Sequence, residues 1–222
     1  MPSEHGAYFN HDPQALRYDN NVRDEGNPIR DGYAATLAWT SAMVKAQPGD
    51  LVVDLGSGTG NTALGLDPDV RILGVDLSEK MTALARSKLA DREHVAFVIA
   101  DLLDWMLDPQ GPSFDGLVST YAVHHLTAEE KVRLFEGLWQ RLRPGGRAAF
   151  GDLMFASAKD QEAVVAELVA AGHDWMPEEV EDEFFWHVDR AVAALERIGF
   201  ELLETRRFSD LSWGIAVRRP TD

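Results

Sequence analysis

The chain has 222 residues, 45% of them hydrophobic and 26% charged, with 21 Lys and Arg against 37 Asp and Glu and a formal net charge of -16. This size and apolar content suit one globular domain with a sizeable core, while the negative field argues against gripping nucleic acid through its phosphates. The absence of cysteine excludes disulfides, thiolate metal sites and thiol nucleophiles; with no leader pattern and no run near the ~20 apolar residues of a membrane span, the expected location is cytoplasmic.

Residues 1–30 are polar and interrupted by Asn, Gly and Pro, and read as a mobile lid; a helical apolar pattern follows over 32–46 through Tyr33, Leu37, Trp39, Met43 and Val44. From 50 to 152, near-continuous apolar runs at 51–55, 71–76, 95–100, 116–119 and 147–152 alternate with helical-period segments. That is a βαβ series, whose parallel strands are buried on both faces. Ser78 is placed to cap a helix burying Met81, Leu84, Ala85 and Leu89. Thr127-Ala-Glu-Glu130 is a capping box opening a helix over Val132, Phe135, Leu138, Trp139 and Leu142, with Pro144 and two glycines ending it. Beyond the fifth run, 158–171 reads as a helix, 172–184 as an acidic connection containing Pro, and 185–198 as an amphipathic helix. Residues 199–208 and 211–217, separated by a Ser-Asp turn, read as an antiparallel hairpin. A single domain spans 1–222: lid and first helix over 1–48, a ligand-binding core over 49–152, and C-terminal helices with the closing hairpin over 153–222.

The first apolar run delivers Asp54 and then Gly56-Ser57-Gly58-Thr59-Gly60, a turn whose glycines let backbone approach a ligand closely. Asp76, ending the second run, falls where an acid accepts hydrogen bonds from a ribose diol. A nicotinamide dinucleotide site wants G-x-G-x-x-G; this chain has G-x-G-x-G, preceded by a carboxylate that would repel a diphosphate. A cationic nucleoside, S-adenosylmethionine, suits the pair better.

Asp54-Leu-Gly56-Ser-Gly58-Thr-Gly60 resembles motif I of the class I S-adenosylmethionine-dependent methyltransferases, and later segments agree. Gly74-Val-Asp76-Leu77-Ser-x-x-Met81 is similar to the family's second-strand segment, Val95 to Leu102 to its third, Phe114 to Ser119 to its fourth, and Leu142 to Phe150 to the turn into its fifth. More closely, Ser119-Thr-Tyr-Ala-Val-His124-His125-Leu-Thr, with Asp152 and Phe155 downstream, resembles the YrrT-like methyltransferases. The resemblance implies a Rossmann-like α/β fold: a seven-stranded mixed sheet of order 3-2-1-4-5-7-6, strand 7 antiparallel, with helices on both faces and an N-terminal helical lid. It also implies a cofactor site of Tyr18, Asp54, Gly56, Ser57, Gly58, Gly60, Asp76, Leu77, Met81, Asp101, Leu102 and Ser119. In that set Asp76 meets the ribose, Met81 packs near the adenine, Asp101 meets the adenine amino group, and the Tyr18-Asp19 pair lies against the cofactor's amino-acid end.

These expectations have plainer alternatives. Asp101 could cap the next helix, Gly60 could serve helix packing, and Tyr18 could be a packed aromatic. His124 and His125 follow the fourth strand, near the reacting methyl, and with Asp152 are the candidate acid-base groups. Their order of merit stays open, as does a purely hydrogen-bonding role. Because adjacent helical positions diverge and no further spaced ligands accompany the pair, no metal is expected. Trp175, Trp186, His187 and Trp213 read as packing residues; His11 has no assigned role; the acidic run 178–183 reads as a solvated face that could also attract an amine. The implied reaction moves methyl from S-adenosylmethionine to an O, N or S nucleophile of a small molecule, releasing S-adenosylhomocysteine, in a monomer or homodimer with neither nucleic acid nor membrane as partner. Ser119-Thr-Tyr-Ala122 stands where nucleic-acid amino-methylating enzymes carry Asn/Asp-Pro-Pro-Tyr/Phe. The alternatives are a non-catalytic module binding S-adenosylmethionine or S-adenosylhomocysteine, and a nicotinamide-dependent oxidoreductase.

Overall fold

In the computed structural model the described residues are 3, 15–22, 24 and 26–221. Five strands follow the five apolar runs: β1 (Leu51–Leu55), β2 (Arg71–Asp76), β3 (Val95–Ile99), β4 (Phe114–Thr120) and β5 (Leu142–Phe155). They pair in parallel, Val53 lying beside Leu73 on one side and Leu117 on the other. A two-residue β6 (Trp186–His187) pairs with the end of β5, and β7 (Glu201–Arg207) with β8 (Ser212–Arg218) forms the closing hairpin. The order is β3-β2-β1-β4-β5-β8-β7, β8 running antiparallel to β5. Setting the short β6 aside, this is the expected 3-2-1-4-5-7-6 sheet with its seventh strand reversed.

Helices α1 (Ala15–Asn21), α2 (Tyr33–Met43), α3 (Glu79–Lys88), α4 (Leu102–Leu107), α5 (Ala128–Arg141), α6 (Ala158–Ala170), α7 (Met176–Asp182) and α8 (Val188–Ile198) cover the sheet. One face packs Leu134, Phe135 and Leu138 of α5 and Leu195 of α8 on Leu55, Leu117 and Phe150. The other sets Trp39 and Val44 against Val52, Ile72 and Val118. Each large side chain so buried contributes ~1.5–3 kcal/mol. The Thr127–Glu130 capping box forms as expected, and the helix it opens ends at Arg141, before Pro144 is reached.

Two local expectations are corrected. The β1-to-β2 crossover is no full helix: only a 3-10 turn, Ala63–Gly65, forms, because Gly65 and Pro68 leave too few uninterrupted residues to offset helix nucleation. Residues 172–184 are no mere connection. They contain α7, where Pro177 sits in the first turn and costs no hydrogen bond, while Met176 and Val180 bury one face. The expected helix over 185–198 correspondingly begins only at Val188.

Candidate active site

Parallel strands bring their carboxyl ends to one edge, where ligands of open α/β sheets bind. A cleft there is lined by Gly56, Asp76, Leu77, Met81, Asp101, Leu102, Thr120, Tyr121, Ala122, His125 and Leu126, with Ser3 and Tyr18. Gly56 (φ +73°) could not be another residue, since a Cβ would lie 2.3 Å from that of Ala122. At Gly58 (φ +49°) a Cβ would meet nothing within 4 Å; this turn faces open space. Asp76 accepts from the Gly58 amide (2.7 Å) and the Ser78 amide (2.8 Å), which ties the turn to β2.

Asp54 lies beneath the turn, fully buried, and neither carboxylate oxygen has a hydrogen-bond partner among the described residues. Burial, with the Asp76 charge added, pushes its pKa up to about 7. An unpartnered buried carboxylate is costly, and a ligand ammonium would relieve it. Helix α1 crosses the same turn: Asp19 accepts from Thr59 Oγ1 (2.6 Å), Asn61 Nδ2 (3.1 Å) and Lys88 Nζ (2.8 Å). Against the penalty of burial, these partners hold Asp19 below the usual carboxylate range.

A second cavity, of about 130 Å³, adjoins the cleft, lined by Asn27, Ile29, Arg30, His124, Leu153, Glu179 and Glu183. Tyr18, Tyr121 and His125 line both spaces. Its floor is the 3-10 turn Val123–His125. Asp152 is 1% exposed and fixes that turn, Oδ2 accepting from the amides of Val123 (2.9 Å) and His124 (3.1 Å), and Oδ1 from the amide of Leu153 (2.8 Å) and His124 Nδ1 (2.5 Å). On the far side Glu183 Oε2 lies 3.2 Å from His124 Nε2 and 2.9 Å from His125 Nδ1. Burial alone would lower the His124 pKa, but the two carboxylates outweigh it and hold it at about 9. Glu183, despite burial, is held well below the ordinary range by the imidazoles. Buried Lys131 donates to the carbonyls of Leu126 and Phe184, tying this turn to the segment after α7. Tyr121 (φ +50°) and Phe184 (φ +48°) are left-handed, a conformation costing roughly 1–2 kcal/mol for such residues; Tyr121 lines the cavity and Phe184 follows Glu183, which also lines it.

Several expected residues therefore meet at one edge: Tyr18, Gly56, Asp76, Leu77, Met81, Asp101, Leu102, His124 and His125 line one or both spaces. Asp101 also caps α4, accepting from Leu103 and Asp104 amides. Ser119 is turned away, its hydroxyl donating to the Leu55 carbonyl (2.7 Å). Ser57 is buried, and Gly60 fits against Ala85 and Leu89 of α3. Asp152 faces the imidazole and no cavity. The reading of diverging histidines is corrected: their ring centroids are 4.0 Å apart, because the turn is 3-10 and one carboxylate faces both. Among the described residues these rings and Glu183 are the one group whose ligand atoms, all within 4.8 Å, could hold a metal. Arg30 and Asn27 have no role in the sequence reading, Tyr121 enters it only within a resembling segment, and Glu183 only within the acidic run 178–183; no local spacing links them to the glycine turn. His11 and most of the proposed lid lie outside the described residues.

A model of the methyltransferase-domain family matches residues 52–146. An uncharacterized methyltransferase of Bacillus pumilus is 32% identical over 99% of both chains, and one of Anoxybacillus flavithermus is 33% identical over 77% of this chain and 78% of its own. Among solved structures, the magnesium protoporphyrin IX methyltransferase of Synechocystis PCC 6803 with bound S-adenosylhomocysteine superposes with a TM-score of 0.71 at 20% identity, covering 94% of this chain and 96% of that one.

Proposed function

The chain belongs to the class I S-adenosylmethionine-dependent methyltransferases, and from this premise we propose that its methyl acceptor is a small molecule bound in the second cavity, with reaction at the wall formed by Tyr18, Tyr121 and His125. The observation that carries this reading is that shared wall: the two spaces meet only across these side chains among the described residues. Within the family we place the chain nearest the YrrT-like group.

The bound cofactor supplies a sulfonium methyl open to in-line attack by an O, N or S nucleophile. Asp76 would hold the ribose hydroxyls, Asp54 would face the ammonium, and Met81 and Leu102 would flank the base. Holding acceptor and methyl in contact with water excluded is the chain's main contribution, and α1, fastened across the glycine turn through Asp19, serves that exclusion. When the nucleophile must lose a proton, His125 takes it. Glu183 beside Nδ1 makes Nε2 the basic nitrogen. His124, charged between Asp152 and Glu183, orients that carboxylate and is not itself the base. The two rings share the Glu183 carboxylate, and the transfer we propose uses no metal.

The test is calorimetry with S-adenosylhomocysteine and with NADH, on protein dialysed against a chelator. S-adenosylhomocysteine binds in micromolar range or tighter and NADH does not compete; NADH binding in its place, or loss of binding on chelation, contradicts the reading. A full metabolite screen yielding affinity but no methylated product would favour a sensor.

A further inference from the structure

Arg30 closes a 3-10 turn, Pro28–Arg30, that is fixed at both levels of structure. Asn27 caps it, accepting from the Ile29 amide (3.1 Å), and Ile29 is buried with Tyr121, Leu153 and Phe155. The backbone is thus anchored, yet the half-buried guanidinium makes no ion pair and no side-chain hydrogen bond among the described residues. It lies over the Tyr18 ring at 5.9 Å from the centroid, and its charge is felt at Tyr18, Tyr33, Tyr121 and Glu179, so it faces into the second cavity. The acids of that cavity do not neutralise it: Glu183 is engaged by the two imidazoles, and Glu179 lies beyond ion-pair distance. A guanidinium has five donors and cannot lose its proton. Left over an aromatic ring in a chain of net charge -16, it is a donor set without an acceptor.

We infer that the methyl acceptor carries an oxyanionic group, a carboxylate or a phosphate monoester, which Arg30 binds at the end of the second cavity away from the cofactor cleft. The placement gives the acceptor a direction. Arg30 lines the second cavity only, whereas Tyr18, Tyr121 and His125 line both, so a molecule held by its anion at Arg30 presents its other end to His125 and the methyl. This names a substrate class for the proposed function and rests on that reading.

The experiment uses the full chain saturated with S-adenosylhomocysteine and matched probes: benzoate against benzamide, glycolate against glycolamide, and phenyl phosphate against phenol, titrated by NMR. At least one anion is expected to bind about ten-fold or more tighter than its neutral partner, as a charge-assisted hydrogen bond warrants. That preference should vanish in Arg30→Gln and survive in part in Arg30→Lys, which keeps charge and loses the fork. The first and second pairs against the third separate carboxylate from phosphate. Absence of any anion preference, or a preference unchanged in Arg30→Gln, overturns the inference while leaving the cofactor reading intact. Unchanged S-adenosylhomocysteine affinity in the variants reports that the site is still folded; failure of the wild-type chain to bind it overturns the proposed function and this inference together.

Discussion

The two halves of the site are built differently. The cofactor cleft is made from consecutive strand ends and their turns, with Asp54, Asp76 and Asp101 each closing or following a strand of one continuous βαβ run. The second cavity, proposed to take the acceptor, is assembled from parts far apart in the chain: Arg30 before α2, the histidines after β4, and Glu179 and Glu183 on or beside α7, with Asp152 of β5 behind the His124 ring. In the first half, backbone geometry fixes the chemistry. In the second, buried charges hold the geometry in place, so electrostatic substitutions there should unfold or retune the site, whereas those in the cleft should cost ligand affinity.

The largest effect is expected at Asp152. Alanine there leaves three buried amides and a charged imidazole without their acceptor, a loss of about 3–5 kcal/mol of folding stability, to be read from urea denaturation. A loss below 1 kcal/mol would mean that the turn does not depend on this carboxylate. Next comes Asp76→Ala, which removes charge-assisted hydrogen bonds worth about 1.5–3 kcal/mol each. S-adenosylhomocysteine affinity should fall about a hundred-fold by calorimetry, with a lower melting temperature as well because the Gly58 and Ser78 amides lose their acceptor; equal affinity would remove the ribose anchor.

Smaller effects lie in pH dependence. His124, raised from 6.5 to about 9, contributes stability that is complete below its unfolded pKa and is lost as pH rises through about 9. Glu183, lowered from 4.5, contributes stability that is present above that value and lost as pH falls below it. Removing one carboxylate by Glu183→Gln should therefore move the alkaline loss of stability to lower pH. Denaturation midpoints measured across pH 6.5 to 9 check this, and superimposable wild-type and variant curves would separate the two groups. The smallest change concerns Asp54. Its pKa is raised from 3.8 to about 7, so the folded chain holds a proton that a bound ammonium would displace. Affinity for S-adenosylhomocysteine should rise as pH passes upward through about 7 in the wild type and stay flat in Asp54→Asn; parallel profiles would detach Asp54 from the ligand's amino group.

The same division explains what could be read in the sequence. Most of these strands are buried on both faces and all are continuous apolar runs, even the edge strand β3, which leaves Ala96, Val98 and Ile99 exposed, so β1 to β5, the sheet order implied by the family resemblance, and the acids at the strand ends were all legible. The glycine turn was legible because positive φ at Gly56, Gly58 and Gly60 demands that residue type. The α7 segment was misread although Met176 and Val180 carry an i, i+4 apolar pair, since its Pro177 and dense acids suggest a loop. Glu183 belonged to a run that reads as solvated, and only the tertiary fold, with Lys131 bridging α5 to the Phe184 carbonyl, turns it toward the histidines. Ser119 is the converse case: the resemblance places it at the cofactor, and its hydroxyl is spent on bridging β4 to β1.

The most direct test of the central claim is a crystal structure of the chain with S-adenosylhomocysteine. The account predicts the ribose diol on Asp76, the amino group toward Asp54, and the sulfur facing the wall of Tyr18, Tyr121 and His125. A nucleoside bound elsewhere, or with its sulfur turned away from the second cavity, would contradict it.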